Sequence, residues 1–181
     1  MKVVVIVIFI IIAILAILAG IYIYLYNKLQ KNIIRVNEAE SEIDETLRKR
    51  YDILRDLEDI INDNTKVTQE NFKDFDKEKI KVSSFDFDRK LTKVTSTFNK
   101  IWQDYPVELE KEEFRKLMTD LKINEEKNEA SKAYYNKFTT ELNTIVKKFP
   151  SNIIARIHKI EERDYFDGKN LHDKDLLDFK Y

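Results

Sequence analysis

Residues 3–25 read VVVIVIFIIIAILAILAGIYIYL and contain no charged side chain. At about 1.5 Å of rise per residue, a helix of this length extends roughly 35 Å and can cross a hydrocarbon layer of about 30 Å. A bilayer covers such an all-round apolar helix without a protein partner. Tyr22, Tyr24 and Tyr26 at its C-terminal edge have the amphipathic rings that favour the headgroup zone. The sequence therefore predicts a retained single-pass transmembrane anchor, with the lipid bilayer as its partner.

Three other interpretations of this segment fit less well. A cleaved signal peptide has an apolar core of only about 7–15 residues and a small-x-small cleavage site, whereas residues 16–19 have the wrong spacing. Leu18-Ala19-Gly20 resembles the start of a lipoprotein signal, but Ile21 follows and the chain has no cysteine to acylate. A buried helix of a water-soluble protein is disfavoured because the segment is apolar on every side and terminal.

The composition restricts both the fold and the chemistry. Charged residues make up 36% of the chain, yet the net charge is only -1, which argues against a nucleic-acid partner. The absence of cysteine excludes disulfides, thiolate metal sites and cysteine nucleophiles. Two glycines and two prolines in 181 residues leave few turns. We therefore expect an all-α protein with long helices.

Three long amphipathic segments follow the anchor. Their apolar residues recur at steps that are sums of three and four, the spacing of one buried stripe on a helix. The first stripe comprises Ile33, Val36, Ile43, Leu47, Leu54, Leu57 and Ile61. The second comprises Phe87, Leu91, Val94, Phe98, Ile101 and Tyr105. The third comprises Phe114, Leu117, Leu121, Tyr135, Phe138, Leu142, Ile145 and Phe149.

Helix-ending signals separate these segments. The polar run 62–65 ends the first helix, and Ser83-Ser84 offers an N-cap for the second. Pro106 ends the second helix, and Pro106 and Pro150 bracket the third. Ser151 can cap a short fourth helix that carries its isoleucines on one side: Ile153, Ile154, Ile157 and Ile160.

These segments predict an elongated antiparallel helical bundle behind the anchor. Three long helices joined by short turns would run up, down and up to bury their stripes against one another, with the short helix packed at one end. No helix-breaking residue separates the anchor from the first helix, so we expect the two to be continuous. The predicted domains are the anchor (1–25), the bundle (26–166, with a weak charged segment at 67–82) and a charged, mobile tail (167–181).

Polar residues interrupt the third stripe at Asn124, Asn128 and Ser131. Polar core residues reduce stability but can fix helix register. One interpretation is a hydrogen-bonded structural layer, and the other is a groove where a partner or ligand inserts. If the layer serves packing alone, Asn128→Leu should be tolerated or stabilising, because removing a buried amide and its hydrogen-bonding cost together can be nearly neutral.

No catalytic constellation is visible in the sequence. Glu125, Glu126 and Glu129 could hold a hard metal ion, but they alternate with lysines as on a solvated face, and neither His158 nor His172 follows a Glu at the spacing of a di-iron bundle. Glycine-rich phosphate loops are absent. We therefore predict no enzymatic activity, no catalytic residue, no metal, no cofactor and no small-molecule substrate.

Several motifs along residues 5–166 together point to a known family. They read Tyr26-Asn27-x-Leu29, Arg35-Val36-Asn37-Glu38-Ala39, Leu47-Arg48-Lys49-Arg50-Tyr51-Asp52-Ile53-Leu54-x-x-Leu57, Tyr105-Pro106-x-x-Leu109 and Phe149-Pro150-x-Asn152-x-x-Ala155. In this order they resemble the LemA family of bacterial membrane proteins, of which the chain would be a divergent member. Arg55-Asp56 stands where the family usually has Pro-Asn, Lys132 where it has arginine, and Asn128 where it has an aliphatic residue. The resemblance implies an antiparallel bundle anchored by its N-terminus and no established enzymatic activity.

The expected function is that of a membrane-tethered adaptor or scaffold for other membrane or envelope proteins. The alternative is a membrane-tethered sensor or ligand-binding bundle. Lys28, Lys31 and Arg35 follow the anchor, whereas only Lys2 and the α-amine precede it. Because cytoplasmic flanks are richer in Lys and Arg, we expect the bundle on the cytoplasmic side of the cell membrane.

Overall fold

A computed structural model describes residues 2–70 and 83–166. Within these ranges the chain forms four helices and no strand: α1 (Lys2–Asn64), α2 (Ser84–Asp104), α3 (Glu112–Lys147) and α4 (Ser151–Ile157). The predicted all-α helical bundle is confirmed. The anchor and the first long segment are one continuous helix, as the sequence predicts. The tail 167–181 with His172, and Phe72, Phe75 and Ile80 of the weak segment, lie outside the described residues.

The chain divides into two compact units. Unit 1 contains residues 2–38 and Tyr135–Tyr165, and unit 2 contains Ala39–Tyr134 together with Phe166. Both α1 and α3 contribute residues to each unit.

In unit 2, α1 and α2 run parallel. Asp44 accepts a hydrogen bond from Ser84 at the start of α2, and Arg50, further along α1, contacts Thr95, further along α2. The predicted up, down and up order is therefore wrong for α2. The reason is the long connection 65–83, which can return the chain to the start of a parallel neighbour, as a short turn cannot.

The third helix runs antiparallel to both of the others in unit 2. Lys111, just before α3, contacts Asn64 at the end of α1, whereas Asn128 in the middle of α3 contacts Thr46. Trp102 near the end of α2 packs on Phe114 near the start of α3. A short connection between α2 and α3 permits this antiparallel arrangement.

Most residues of the predicted stripes that lie in unit 2 form its core, although Phe87 and Tyr105 are only half-buried. Phe149, the last residue of the third predicted stripe, lies in unit 1 and is 73% exposed, so its predicted burial is wrong. Ser83 caps α2 as expected, because its side chain accepts a hydrogen bond from the Asp86 backbone at 3.1 Å. Leu117 is only half-buried, in contrast to its neighbours on the third stripe. The buried apolar residues of unit 2 are Ala39, Ile43, Leu47, Tyr51, Ile53, Leu54, Leu57, Ile61, Leu91, Val94, Phe98, Ile101, Leu109, Phe114 and Leu121.

The third helix begins at Glu112 and not at Pro106. Residues 106–109 form a turn in which the backbone N–H of Leu109 donates to Tyr105 at 3.2 Å. In this turn the Leu109 side chain is completely buried, which explains why α3 begins after the turn and not at Pro106. Its C-terminal end at Lys147, before Pro150, agrees with the sequence.

Unit 1 contains α4 and the irregular segment 158–165. Ser151 is the first residue of α4 and does not cap it: its hydroxyl is 2.7 Å from the carbonyl oxygens of both Ile145 and Lys148. The prediction of an isoleucine face is also wrong, because Ile153 and Ile157 are exposed and only Ile154 is fully buried. The buried apolar residues of unit 1 are Leu29, Val36, Tyr135, Phe138, Leu142, Ile145, Ile154 and Ala155.

One helix in the described ranges is long and apolar enough to cross a membrane, and it is α1. All residues from 2 to 24 are exposed to solvent in the protein alone. An apolar surface of this extent is the type that a bilayer covers.

Candidate functional site

The three polar residues singled out on α3 all lie on its buried side in unit 2. Asn124, Asn128 and Ser131 are 3%, 1% and 4% exposed. The hydroxyl of Ser131 donates to the Lys127 carbonyl of its own helix at 3.1 Å. The Oδ1 atom of Asn124 has no hydrogen-bond partner among the described residues. Of the three, Asn128 is the residue whose side chain has hydrogen bonds to the other two helices.

Asn128 joins α1, α2 and α3. Its Oδ1 atom is 2.8 Å from the Thr46 hydroxyl on α1, and its Nδ2 group donates to Asp88 Oδ1 on α2 at 2.9 Å. The single proton of Thr46 is shared, because the Ile43 carbonyl lies 2.7 Å away. A buried amide in this position ties the relative register of three helices to two specific contacts.

Arg50 is a second buried connection among the same helices and is 4% exposed. One Nη atom contacts Asp88 Oδ1 at 3.2 Å, and the other contacts Glu125 Oε1 at 2.6 Å and Thr95 Oγ1 at 3.0 Å. Burial of a guanidinium carries a large desolvation cost, which the two carboxylates and the hydroxyl offset. Arg50 therefore depends on partners from both α2 and α3.

Asp88 is the shared acceptor of this cluster. It receives hydrogen bonds from Arg50 and Asn128, and Lys132 Nζ lies 3.1 Å from its Oδ2 atom. Burial lowers the pKa of Lys132, but the carboxylates of Glu129 and Asp88 more than offset this, so the pKa is raised above its usual 10.5. We name the set of Thr46, Arg50, Asp88, Thr95, Glu125, Asn128 and Lys132 the polar cluster.

Of the polar cluster, the sequence reasoning found only Asn128 as a polar core residue. It considered Glu125 only as a metal ligand, and it missed Thr46, Arg50, Asp88, Thr95 and Lys132. A signal for Arg50 was present, because it lies three residues after Leu47 and four before Leu54, on the first stripe itself. Asp88 lies three residues before Leu91 and is therefore on the side of the second stripe. A charged residue at a stripe position is the pattern that would have found the cluster.

The carboxylates that were considered as metal ligands form ion pairs with different basic side chains. Glu125 pairs with Arg50, whereas Glu129 pairs with Lys132. Glu126 is exposed on α3. The described contacts therefore assign Glu125 and Glu129 to ion pairs within unit 2.

An open cleft of about 740 Å³ lies between α2 and α3 of unit 2. Its most prominent side chain is Trp102, which is 37% exposed and packs edge-on against Phe114 with ring centroids 5.7 Å apart. Thr95 and Glu125 belong both to the cleft and to the polar cluster. The cleft is lined by Thr95, Asn99, Trp102, Arg115, Met118, Thr119, Leu121, Lys122 and Glu125.

The fold and the N-terminal segment define a class: an all-α helical bundle with a candidate membrane-spanning helix. The chain belongs to the LemA family, whose family model matches residues 39–177. The resemblance noted in the sequence is thereby confirmed, and the matched range contains the whole polar cluster and the cleft. A comparison with curated proteins gives no match.

Proposed function

We propose that this LemA-family protein is a non-enzymatic, membrane-tethered adaptor that binds a segment of another membrane or envelope protein in the cleft between α2 and α3. The observation that carries the proposal is the cleft itself, with a half-exposed Trp102 on one wall and Met118 on the other. Trp and Arg dominate the energetics of protein interfaces, and Met adapts its shape to different partners. On the α3 wall, Lys122 favours a partner segment with acidic residues, whereas Arg115 already pairs with Glu110.

The polar cluster supports an adaptor role because it fixes the wall helices. Thr95 of the α2 wall and Glu125 of the α3 wall both bind Arg50 of α1. A cleft whose walls are held by buried, directional contacts loses little conformational entropy when a partner binds.

The second part of the proposal concerns the membrane. The anchor is retained, crosses the bilayer once and places the remaining chain on the cytoplasmic side, because the basic residues Lys28, Lys31 and Arg35 directly follow it. Protease added to intact cells should leave unit 2 undigested and should digest it after lysis. Digestion without lysis would reverse the proposed orientation.

A photo-crosslinking residue at position 99 tests the adaptor proposal in intact membranes. Asn99 lines the cleft, whereas the adjacent Lys100 is exposed and outside the residues that line it. We expect position 99, but not position 100, to capture a defined protein. Trp102→Ala should abolish that capture, and Trp102→Phe should retain most of it because the aromatic contact remains. Equal capture from both positions, or capture unchanged by Trp102→Ala, would refute the cleft as the docking site.

A ligand-binding sensor is the second candidate, and the size of the cleft favours it. Small-molecule sites measure about 300–1,000 Å³, a range that includes this cleft. In that case position 99 would capture no protein. A membrane extract freed of protein would instead change the fluorescence of Trp102, the single tryptophan of the chain.

A further inference from the structure

The short helix α4 in unit 1 exposes a set of large apolar side chains. Ile153 and Ile157 are 51% and 63% exposed and lie four residues apart, on one side of the helix. Phe149, just before α4, is 73% exposed. The opposite side of α4, with Ile154 and Ala155, is buried. An apolar edge that the fold leaves uncovered requires another medium or partner.

The contacts of α4 define its position relative to the anchor. His158 directly follows α4, and its Nε2 atom lies 2.6 Å from the Tyr22 hydroxyl, which is hydrogen-bond distance. The ring of His158 also packs against Tyr26, with centroids 4.6 Å apart. Both tyrosines belong to α1 in the same unit, at the C-terminal edge of the apolar segment.

The geometry of α1 indicates how deep in the membrane the contact between His158 and the two tyrosines lies. At about 1.5 Å per residue, α1 rises roughly 29 Å from Val3 to Tyr22, close to the thickness of a hydrocarbon core of about 30 Å. Tyr22 and Tyr26 therefore lie at the boundary between acyl chains and headgroups when the anchor spans the bilayer. The C-terminal end of α4, bonded to Tyr22 through His158, lies at the same level.

The charges around α4 match a lipid surface. Residues 147–160 contain Lys147, Lys148, Arg156 and Lys159 and no acidic residue, and Glu161 and Glu162 follow directly. Lys147 pairs with Glu162, while Lys148, Arg156 and Lys159 are exposed. Apolar side chains combined with flanking cations are the composition of helices that lie in the headgroup zone.

We infer that α4 is a second membrane-binding element, which rests on the membrane that the anchor crosses. Phe149, Ile153 and Ile157 enter the boundary between headgroups and acyl chains, and Lys148, Arg156 and Lys159 contact lipid phosphates. The inference depends on the proposed anchoring through residues 3–25. Its consequence is that unit 1 contacts the membrane at two places, so that it cannot rotate freely about the anchor axis.

Single-cysteine labelling of the full chain tests this inference, since the protein contains no cysteine of its own. Ile153→Cys and Ile157→Cys would each carry an environment-sensitive fluorophore in vesicles of phosphatidylcholine and phosphatidylglycerol. Ile123→Cys is the matched control, because Ile123 is a similarly exposed isoleucine (59%) on α3 in unit 2. Ile12→Cys reports whether the anchor is inserted. Lipids that carry a nitroxide quencher at a shallow position on the acyl chain provide the readout at 153, 157 and 123, and lipids that carry it near the end of the acyl chain provide the readout at 12.

We expect shallow nitroxide lipids to quench the probes at 153 and 157 at least about twofold more than the probe at 123, in keeping with interfacial burial. Arg156→Glu in the Ile157→Cys background should reduce this quenching, whereas Lys116→Glu, at an exposed position of α3 in unit 2, should leave it unchanged. Quenching at 12 without quenching at 153 and 157 would overturn the inference while preserving the anchor. Lack of quenching at 12 would overturn the proposed anchoring as well. Shielding at 153 that depends on protein concentration but not on nitroxide lipid would assign the surface to a second copy instead.

Discussion

The two units use buried polar side chains in different ways. In unit 1, Asn143 and Tyr135 bind backbone groups of the irregular segment 158–165: Asn143 bonds both the N–H and the carbonyl of Arg163, at 2.9 and 2.8 Å, and the Tyr135 hydroxyl donates to the Asp164 carbonyl at 3.0 Å. In unit 2 the side chains of the polar cluster bind each other, and Arg50 and Asp88 link three helices. In unit 1 the side chains thus satisfy backbone groups that have no partner in a helix, whereas in unit 2 they connect one helix to another.

This difference has an energetic consequence. A backbone group in 158–165 that loses its side-chain partner can turn to water, because the segment lies near the surface. A charge in the polar cluster that loses its partner remains buried, and its desolvation is no longer compensated. Polar substitutions should therefore destabilise unit 2 globally and unit 1 locally.

The largest effect is expected for Arg50→Ala. Removal of the guanidinium leaves Asp88 buried with a reduced set of donors and Glu125 without its cation, so we expect a loss of about 3–5 kcal/mol in the free energy of unfolding. Urea unfolding of the full chain in detergent, followed by the fluorescence of Trp102, measures this because that residue reports on unit 2.

Arg48→Ala is the matched control for this experiment. Arg48 lies two residues earlier on α1 and is exposed, so its removal should change the free energy of unfolding by less than about 0.5 kcal/mol. If the two substitutions changed the free energy of unfolding equally, Arg50 would contribute no more than an exposed arginine does. The proposed difference between the two units would then be wrong.

A smaller effect is expected for Asn128→Leu, with a sign opposite to the one that the sequence suggests. The leucine cannot accept from Thr46 or donate to Asp88, and both partners stay buried. We expect a loss of about 1–3 kcal/mol by the same fluorescence measurement. A neutral or stabilising result would show that the cluster does not require the amide, as expected of a layer that serves packing alone.

The sequence predicted the fold class because hydrophobic periodicity and helix-ending residues act locally. The stripes around Leu54, Phe98 and Leu121 are buried as expected, and Ser83 caps α2. The direction of α2 could not be predicted in the same way, since a connection as long as 65–83 permits either direction and no local pattern selects one. The exposure of Ile153 and Ile157 depends equally on which side of α4 meets its neighbours, which no local pattern specifies.

The polar cluster was only partly predictable for a related reason. Asn128 stands out because it interrupts an apolar stripe on its own helix. Its partners Thr46 and Asp88 come from two other helices, at sequence separations of 82 and 40 residues. A single sequence contains no information that pairs residues at such distances, so it identified one member of the cluster and not the network.

A local effect is expected for Asn143→Ala in unit 1. The substitution removes two hydrogen bonds to the backbone of Arg163, which together contribute about 1–2 kcal/mol. Amide hydrogen exchange should accelerate in residues 160–165, while the Trp102 unfolding transition stays unchanged. Thr144→Ala is the control, because that exposed hydroxyl donates only within α3, to the Thr140 carbonyl. Global destabilisation by Asn143→Ala would contradict the distinction between the units.

The smallest effect is a pH dependence that originates from Lys132. In the folded protein the pKa of this ammonium lies above 10.5. Burial lowers the pKa, but the carboxylates of Glu129 and Asp88 raise it by more than burial lowers it. A raised folded-state pKa means that the native state binds the proton more tightly than the unfolded chain does. The stabilisation is therefore complete below about pH 10 and is lost as the pH rises through the folded-state value.

Lys132→Met isolates this contribution, because every other titratable group is common to the wild type and the variant. The difference in unfolding free energy between the wild type and Lys132→Met should be largest near pH 8 and should shrink on the alkaline side. Lys127→Met is the matched control, since Lys127 is a more exposed lysine of α3 paired with Glu42 at 3.3 Å. A wild-type advantage that grows above about pH 10 would show that the ammonium is destabilising where it is buried. In that case Arg50 and Asn128 would stabilise the polar cluster, and the charge of Lys132 would destabilise it.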